Sequence, residues 1–272
     1  MPEITVLMPV RNGEAFIKES IDSVLCQSFT DFELLIMDDG STDGTVNIIQ
    51  SYQDKRIRFE KRNHNFIKNL NEGLSLAQGN YIARMDADDR MHSERLRIQL
   101  KRMKQNPDIT LCSSWTKPFK TDGTLLAPFQ FGEYFSENPI LQMLLGNFIS
   151  HPSVMIKKEF LTVNKLEYQN YPHTEDYKLW FEIAKLGGKI FVEPQHLLYF
   201  RVSETQVTAI HREEMFNQAA RIKEEILSYL LIEKSNKKLL SLHRRLMDVK
   251  KDNLVSANEI FSFFYNILKK VK

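Results

Sequence analysis

Three carboxylates crowd the run Ala83-Arg84-Met85-Asp86-Ala87-Asp88-Asp89, which closes the short apolar pattern Tyr81 to Met85. Carboxylates held this close repel one another and lose solvation unless a cation or ligand compensates them. Hard divalent ions prefer oxygen ligands, so the run marks a candidate metal site. Its plain alternative is a solvated acidic turn that caps the following helix, a role Asp89 or Ser93 could fill alone. A second acidic cluster, Asp38-Asp39-Gly40-Ser41-Thr42-Asp43-Gly44, ends the apolar run Phe32 to Met37. Within it, Ser41-Thr42-Asp43-Gly44 is turn and helix-cap chemistry, which assigns Asp43 a structural role.

The surrounding periodicity says what must position these groups. Ile4 to Val10 is a buried strand, and the turn Arg11-Asn12-Gly13 leads to a helix over Ala15 to Gln27. The strand Phe32 to Met37 and a helix over Thr45 to Tyr52 repeat the unit. A shorter strand, Ile57 to Phe59, then precedes a helix over Phe66 to Ala77, with Gly79 as its cap. After the acidic run come a helix over Arg95 to Gln105, a strand at Ile109 to Ser113, a strand entering from a turn in His151 to Ile156, a helix over Asp176 to Leu186 ended by Gly187-Gly188, and two strands, Ile190 to Val192 and Leu197 to Val202. This alternation predicts an α/β fold with a doubly wound, mainly parallel sheet, whose ligands lie beyond the carboxyl ends of the strands. Residues 1–115 form the first half, 116–210 complete the cleft, and 211–272 are a helical extension.

Composition narrows the classes. With 37 basic and 35 acidic residues the net charge is +2, so nothing in bulk charge points to nucleic acid. Cys26 and Cys112 lie in apolar stretches and read as buried free thiols of a reducing compartment. The first residues lack a signal-peptide pattern and no apolar run is long enough to span a bilayer, which gives the expectation of a cytoplasmic protein.

Four segments in order, Thr5-Val6-Leu7-Met8-Pro9-Val10-Arg11-Asn12, Asp38 to Thr45, Ala83 to Asp89 and Thr174-Glu175-Asp176-Tyr177, make residues 4 to 208 resemble a family 2 glycosyltransferase of the GT-A fold, of the kind that builds bacterial surface polysaccharides. The resemblance implies a nucleotide-binding half followed by an acceptor-binding half. It also implies inverting transfer of a sugar from a nucleotide-sugar, a UDP-sugar by preference, to a glycan or lipid-linked acceptor in capsule, lipopolysaccharide or exopolysaccharide assembly. Asp88 and Asp86 then resemble the ligands of Mn²⁺ or Mg²⁺ on the donor diphosphate, with Arg84 and Ala87 beside them. Asp38 and Asp39 resemble the pair that receives the base, while Pro9, Val10, Arg11 and Asn12 line the nucleotide pocket. The family often has an aromatic residue where Arg11 stands. Lys68 and Asn71 resemble a donor-facing basic residue and asparagine, and Asn65 stands where the family commonly needs a left-handed backbone.

Asp176 resembles the general base, with Glu175 its rival. A single displacement needs a carboxylate to take the acceptor hydroxyl's proton, although aspartate at this place is also a common helix cap. His151 lies where relatives shape the acceptor side, against a plain reading as a structural histidine. Arg201 resembles a phosphate-pairing residue in a loop running to Thr208. Relatives often have histidine at the position of Ser203, and His211 is a candidate displaced ligand. The C-terminal stripe Phe216, Ile222, Ile226, Leu227, Leu230, Leu231 and the aromatic, lysine-ended tail have two readings: peripheral attachment to an anionic inner-membrane surface, or packing on the core or a second subunit. Three other functions compete: a nucleotidyltransferase, which would want a Gly-rich phosphate loop after the first strand, a glycoside hydrolase, and a catalytically silent nucleotide-sugar-binding subunit.

Overall fold

The computed structural model describes residues 1–128, 134–135, 139–203 and 211–231. A strand covered on both faces has to be apolar along its whole length, and all of Ile4–Val10 (β1) is buried. It runs parallel to Phe32–Asp39 (β2) on one side and Tyr81–Arg84 (β4) on the other, and Ile57–Arg62 (β3) extends the parallel set beyond β2. Alternate residues of β1 and β2 feed two cores. Val6, Met8, Leu34 and Ile36 meet the helices Ile17–Leu25 (α1), Thr45–Gln50 (α2) and Arg95–Gln105 (α4), whereas Leu7, Leu35 and Met37 meet Phe66–Leu76 (α3) on the opposite face. This is the doubly wound arrangement the alternation predicts.

Beyond β4 the sheet changes character. Its order is β3-β2-β1-β4-β8-β6-β9-β5, with Arg90–Met91 (β5), Ile109–Lys120 (β6), Met155–Lys157 (β8) and Lys189–Val202 (β9), while Tyr134–Phe135 (β7) pairs with β9 off this path. β8 is antiparallel to both β4 and β6, and β6 and β9 run parallel for most of their length. The helices Pro139–Leu145 (α5), Lys158–Val163 (α6), Glu175–Lys185 (α7) and Arg212–Leu231 (α8) complete the chain. Ile222, Ile226, Leu227 and Leu230 of α8 are buried with Met143, Trp180 and Ile183, so this part of the C-terminal stripe packs on the protein's own core. Among the described residues no helix is long and apolar enough to cross a membrane.

Several local expectations need correcting. β2 carries Asp38 and Asp39 inside the strand, and the two strands expected over residues 190–202 are one, bridged by register irregularities against β6. β6 reaches Lys120 rather than Ser113, and β5, β7, α5 and α6 were not foreseen. The strand expected to enter from a turn at His151 is found as a 3₁₀ turn, His151–Ser153, followed by β8. Gly79 does not cap α3, whose C-cap is Ala77; instead a Cβ on Gly79 would come within 2.4 Å of the Thr5 nitrogen, so glycine is there to let the turn touch β1. Asn65 is extended, φ −167°, and caps α3 by accepting from the Lys68 amide. Cys112 is buried, whereas Cys26 is exposed beyond α1; both are free thiols. Gly187 ends α7 as expected, with φ 80°: Gly187 donates to Ala184 and Gly188 to Ile183 in a Schellman pattern. The expected loop segment 204–208 and tail 232–272 lie outside the described residues.

Candidate active site

Because β1 to β4 are parallel, their carboxyl ends share one edge. Arg11 and Asn12, Asp38 and Asp39, His64, and Asp86 to Asp89 follow from four successive strand ends. Carboxylate oxygens of Asp86, Asp88 and Asp89 lie within 4.8 Å of one another. Asp86 pairs with Arg84 Nη1 at 2.5 Å. Asp89 is fully buried; its Oδ1 accepts from the Arg201 amide at 2.8 Å, but its Oδ2 has no partner. Burial, and then the charges of Asp86 and Asp88, push the Asp89 carboxyl well above its ordinary range. A buried, unpartnered carboxylate oxygen beside two more carboxylates is what a hard cation satisfies, so these residues fit the expected Mn²⁺ or Mg²⁺.

Arg201 holds this turn from behind. Its Nε donates to the Asp88 carbonyl at 2.7 Å, another guanidinium nitrogen pairs with Glu19, and the group lies between the rings of Phe16 and Phe119, with its carbon 4.2 and 4.5 Å from their centroids. Glu19 also pairs with Arg90. The structure thus places Arg201 as a brace for the acidic turn.

The nucleotide-side residues divide by how their polar atoms are used. Asp39 accepts from the Asn65 amide at 2.7 Å and Asn69 Nδ2 at 2.5 Å, and its Oδ2 lies 2.7 Å from His64 Nδ1. Asp38 accepts only 3.3 Å contacts from the Ser41 amide. Asn12 takes φ 51°, accepts from the Thr42 amide and donates its own amide to the Ser41 hydroxyl, tying the first turn to the second. Asp43 accepts from the Thr45 hydroxyl and from the Glu14 amide, the structural role read from the sequence. Arg11 is exposed and meets His64 Nε2 at 2.9 Å, so Arg11, His64 and Asp39 form a chain across the pocket edge. Pro9 and Val10 are buried beneath it, and Ala87 is half-buried. Lys68 is exposed on α3, while Asn71 spends both ends of its amide on the main chain of Tyr168.

Glu175 and Asp176 form the first turn of α7, with Thr174 as N-cap. Asp176 Oδ1 accepts from the Tyr177 amide at 2.6 Å and Oδ2 from Asn147 Nδ2 at 3.0 Å. Desolvation nevertheless pushes Asp176 up to about 6. Glu175 is buried with Oε2 unpartnered, and desolvation, with the Asp176 charge second, pushes it up to about 7. The Arg84 charge acts on Glu175 and Asp176 as well as on Asp89, and the Asp86 charge reaches Glu175, so both acidic groups share one field. His151 is buried with Nε2 2.8 Å from the Tyr168 hydroxyl, and burial holds it well below its ordinary range, neutral behind Arg84. Asn147 also lines a cavity of about 290 Å³ with Ser114, Trp115, Phe148, Ser150 and Phe200. Arg84 Nε, Asp89 Oδ2, Glu175 Oε2 and Trp115 Nε1 are among the buried polar atoms without a protein hydrogen-bond partner.

His64 and Asn147 are site residues that the sequence reading missed. His64 follows a strand end, the signal that found the aspartates, whereas nothing local distinguishes Asn147, which reaches Asp176 only through the packing of α5 and α7.

The sheet order, two helical layers and acidic strand ends define a GT-A-like α/β fold. The chain belongs to glycosyl transferase family 2, whose family model matches residues 5–162. An uncharacterized glycosyltransferase of Haemophilus influenzae is 30% identical over 96% of this chain and 80% of its own length, and one of Methanocaldococcus jannaschii is 30% identical over 79% and 77%. Among solved structures, S. aureus TarS in complex with UDP-GlcNAc superposes with a TM-score of 0.70 at 19% identity, over 100% of this chain and 82% of that one. The mannosyltransferase PcManGT from Pyrobaculum calidifontis, in complex with GDP-Man and Mn²⁺, gives 0.62 at 16%, over 100% and 81%.

Proposed function

We propose that this glycosyltransferase is an inverting, metal-dependent enzyme that moves a hexosyl or N-acetylhexosaminyl group from a UDP-sugar to a glycan or lipid-linked acceptor of capsule, lipopolysaccharide or exopolysaccharide assembly. The observation that carries the reading is Arg84, whose charge bears on the Asp86–Asp89 turn and on the Glu175–Asp176 pair together. A diphosphate-binding group and a proton acceptor within one field is what a single displacement at an anomeric carbon requires.

Asp86, Asp88 and Asp89 would hold Mn²⁺ or Mg²⁺, which neutralises charge on the departing diphosphate. Arg201 keeps their turn in place. Asp38 accepts the base N–H, since Asp39 is already occupied by three donors, and Arg11 with His64 lies along the nucleotide. Lys68 faces the donor, and Asn71 acts at one remove by fixing the loop at Tyr168. Asp176, held by Asn147 and Tyr177, takes the proton from the attacking hydroxyl; Glu175, protonated for part of the time near neutrality, sits behind it. TarS and PcManGT, described with UDP-GlcNAc and with GDP-Man and Mn²⁺, support a nucleotide-sugar donor. The uracil reading rests on Asp38 as acceptor for a base N3–H. The enzyme works at the inner face of the cell membrane, where lipid-linked acceptors are found, with residues 232–272 as its contact to lipid or to a second copy.

The test is donor turnover with UDP-, dTDP- and GDP-sugars, with and without Mn²⁺, for the wild type, Asp88→Ala and Asp176→Asn. Metal-dependent release of UDP alone, lost in both variants, is the expected result. Metal-dependent nucleotide binding without turnover of any donor, acceptor supplied, would leave a silent binding subunit instead.

A further inference from the structure

Outside the acidic turn, one other group of metal-binding side chains gathers among the described residues. We propose that His173, His211 and Glu214 form a second metal site, of the borderline class represented by Zn²⁺, Co²⁺ and Ni²⁺, which pins the start of α8 to the loop that delivers Glu175 and Asp176. The site shares no residue with Asp86, Asp88 and Asp89, and it does not depend on the function proposed above.

The first argument is geometric. Glu214 Oε2 lies 3.4 Å from His173 Nε2 and 3.5 Å from His211 Nδ1, and all three donor atoms are within 4.8 Å of one another. Both contacts are longer than the roughly 2.7–3.2 Å of a good N–H···O bond, so the three groups are gathered in loose pairs. A tetrahedral ion bound at about 2.0–2.1 Å holds its ligand atoms about 3.4 Å apart, which is the spacing already present along two edges. Two imidazoles and one carboxylate are also the wrong set for Mg²⁺ and a suitable one for zinc-like ions, so the two clusters differ in the ions they select.

The second argument comes from what the histidines give up to be there. His173 has φ 62°, a left-handed backbone that costs a β-carbon-bearing residue energy unless something holds it. Its ring stacks on that of His211, with centroids 4.2 Å apart and 23° between planes, so both imidazoles face the same carboxylate. His211 and Glu214 line an open hollow of about 440 Å³, which leaves room for water to complete the coordination. Binding opens the ring stack to about 5 Å, the centroid separation of two imidazoles on a tetrahedral ion.

The placement gives the site a consequence. His173 is two residues before Glu175, and α8 is otherwise joined to α7 by buried apolar contacts and by Lys178 with Glu225. An ion bridging residue 173 to residues 211 and 214 fixes the entry to α7 against the C-terminal helix, and with it the direction of the acid pair.

The full-length chain, stripped of metal, is titrated at neutral pH with Co²⁺ followed by visible absorption and with Zn²⁺ by calorimetry. The variants are His173→Asn, which tolerates the left-handed backbone, His211→Ala and Asp88→Ala. One equivalent of Zn²⁺ that survives in Asp88→Ala, weakens at least tenfold in each histidine variant and raises the melting temperature of the wild type but not of His211→Ala is the expected result. No binding, unchanged affinity in both histidine variants, or loss in Asp88→Ala alone would overturn the proposal; the last would place the zinc on the acidic turn.

Discussion

Replacing Asp176 by asparagine should make the protein more stable while stopping its reaction, and the size of the gain can be worked from the site. Asp176 rises from its ordinary 3.8 to about 6, chiefly because it is desolvated. A group whose folded value lies above its unfolded one is unfavourable to folding once it is charged. The cost is absent below the unfolded value and complete above the folded one, and a rise of this size corresponds to about 3 kcal/mol. Partial exposure reduces it. The introduced side-chain amide keeps an acceptor for the Tyr177 N–H, but its NH₂ would face Asn147 Nδ2, whose carbonyl is engaged by the Ile149 amide, and losing that hydrogen bond takes back about 1 kcal/mol. The net gain is about 1–2 kcal/mol at about pH 8, or a melting temperature about 2–8 °C higher. At about pH 4, close to the unfolded value, little of the cost remains, so the gain should vanish or reverse in sign. Urea unfolding at the two pH values measures it, and turnover of the variant should fall by about 10²- to 10⁴-fold. Activity within tenfold of wild type would move the base to Glu175. A destabilisation of equal size at both pH values would mean that Asp176 is not held in a desolvated, charge-disfavouring place at all.

The acid limb of kcat/KM should fall as pH drops through about 6, and because Glu175 and Asp176 interact, the profile should fit two apparent values belonging to the pair; a limb near 4 would refute the desolvated base. Arg201→Met should weaken Mn²⁺ binding by about 10–100-fold, as loss of groups that orient metal ligands typically does, with Mn²⁺ titration as the measurement and unchanged affinity as the contrary result. Gly79→Ala, with its Cβ driven onto the backbone of Thr5 and Ile4, should cost about 1–3 kcal/mol in denaturant unfolding and leave Mn²⁺ affinity intact. Asp89→Asn removes a buried carboxylate already held well above its ordinary range, so it should raise the melting temperature in chelator and lose that advantage when Mn²⁺ is added.

How much of this was legible in the sequence depended on how local the signal was. The four parallel strand ends were readable because β1 and β2 are buried and largely apolar along their length and each of the four strands is followed by turn residues; β1 and α4 were placed to the residue. From β5 onward the chain pairs at long range. β6 and β9 are long strands whose inner residues, Trp115 and His196 among them, sit at register irregularities that no period-two pattern announces. Gly79 shows the same limit: glycine after a helix suggests a cap, and only the approach of β1 reveals the close contact that requires it. The acid pair was found by its motif, but its partner Asn147 comes from α5's far end, where the sequence offers no spacing to read.

The acidic motifs carry more than one kind of residue, and the structure separates them. Asp39, Asp43, Asn12 and Arg201 have their polar atoms bonded to the turns around the site, so they fix where the strand ends lie. Asp89 and Glu175 have buried oxygens with no donor, and both are pushed towards the protonated form. The free energy that the first set contributes to a rigid edge offsets what the second set costs, and the second set recovers it only when cation and substrate arrive. Substitutions in the first set should therefore lower stability and ligand affinity together, whereas neutralising the second set should raise stability while affinity falls. Denaturant unfolding of Asp39→Asn and Glu175→Gln, each paired with nucleotide titration, distinguishes the two, and a gain in stability from Asp39→Asn would break the division.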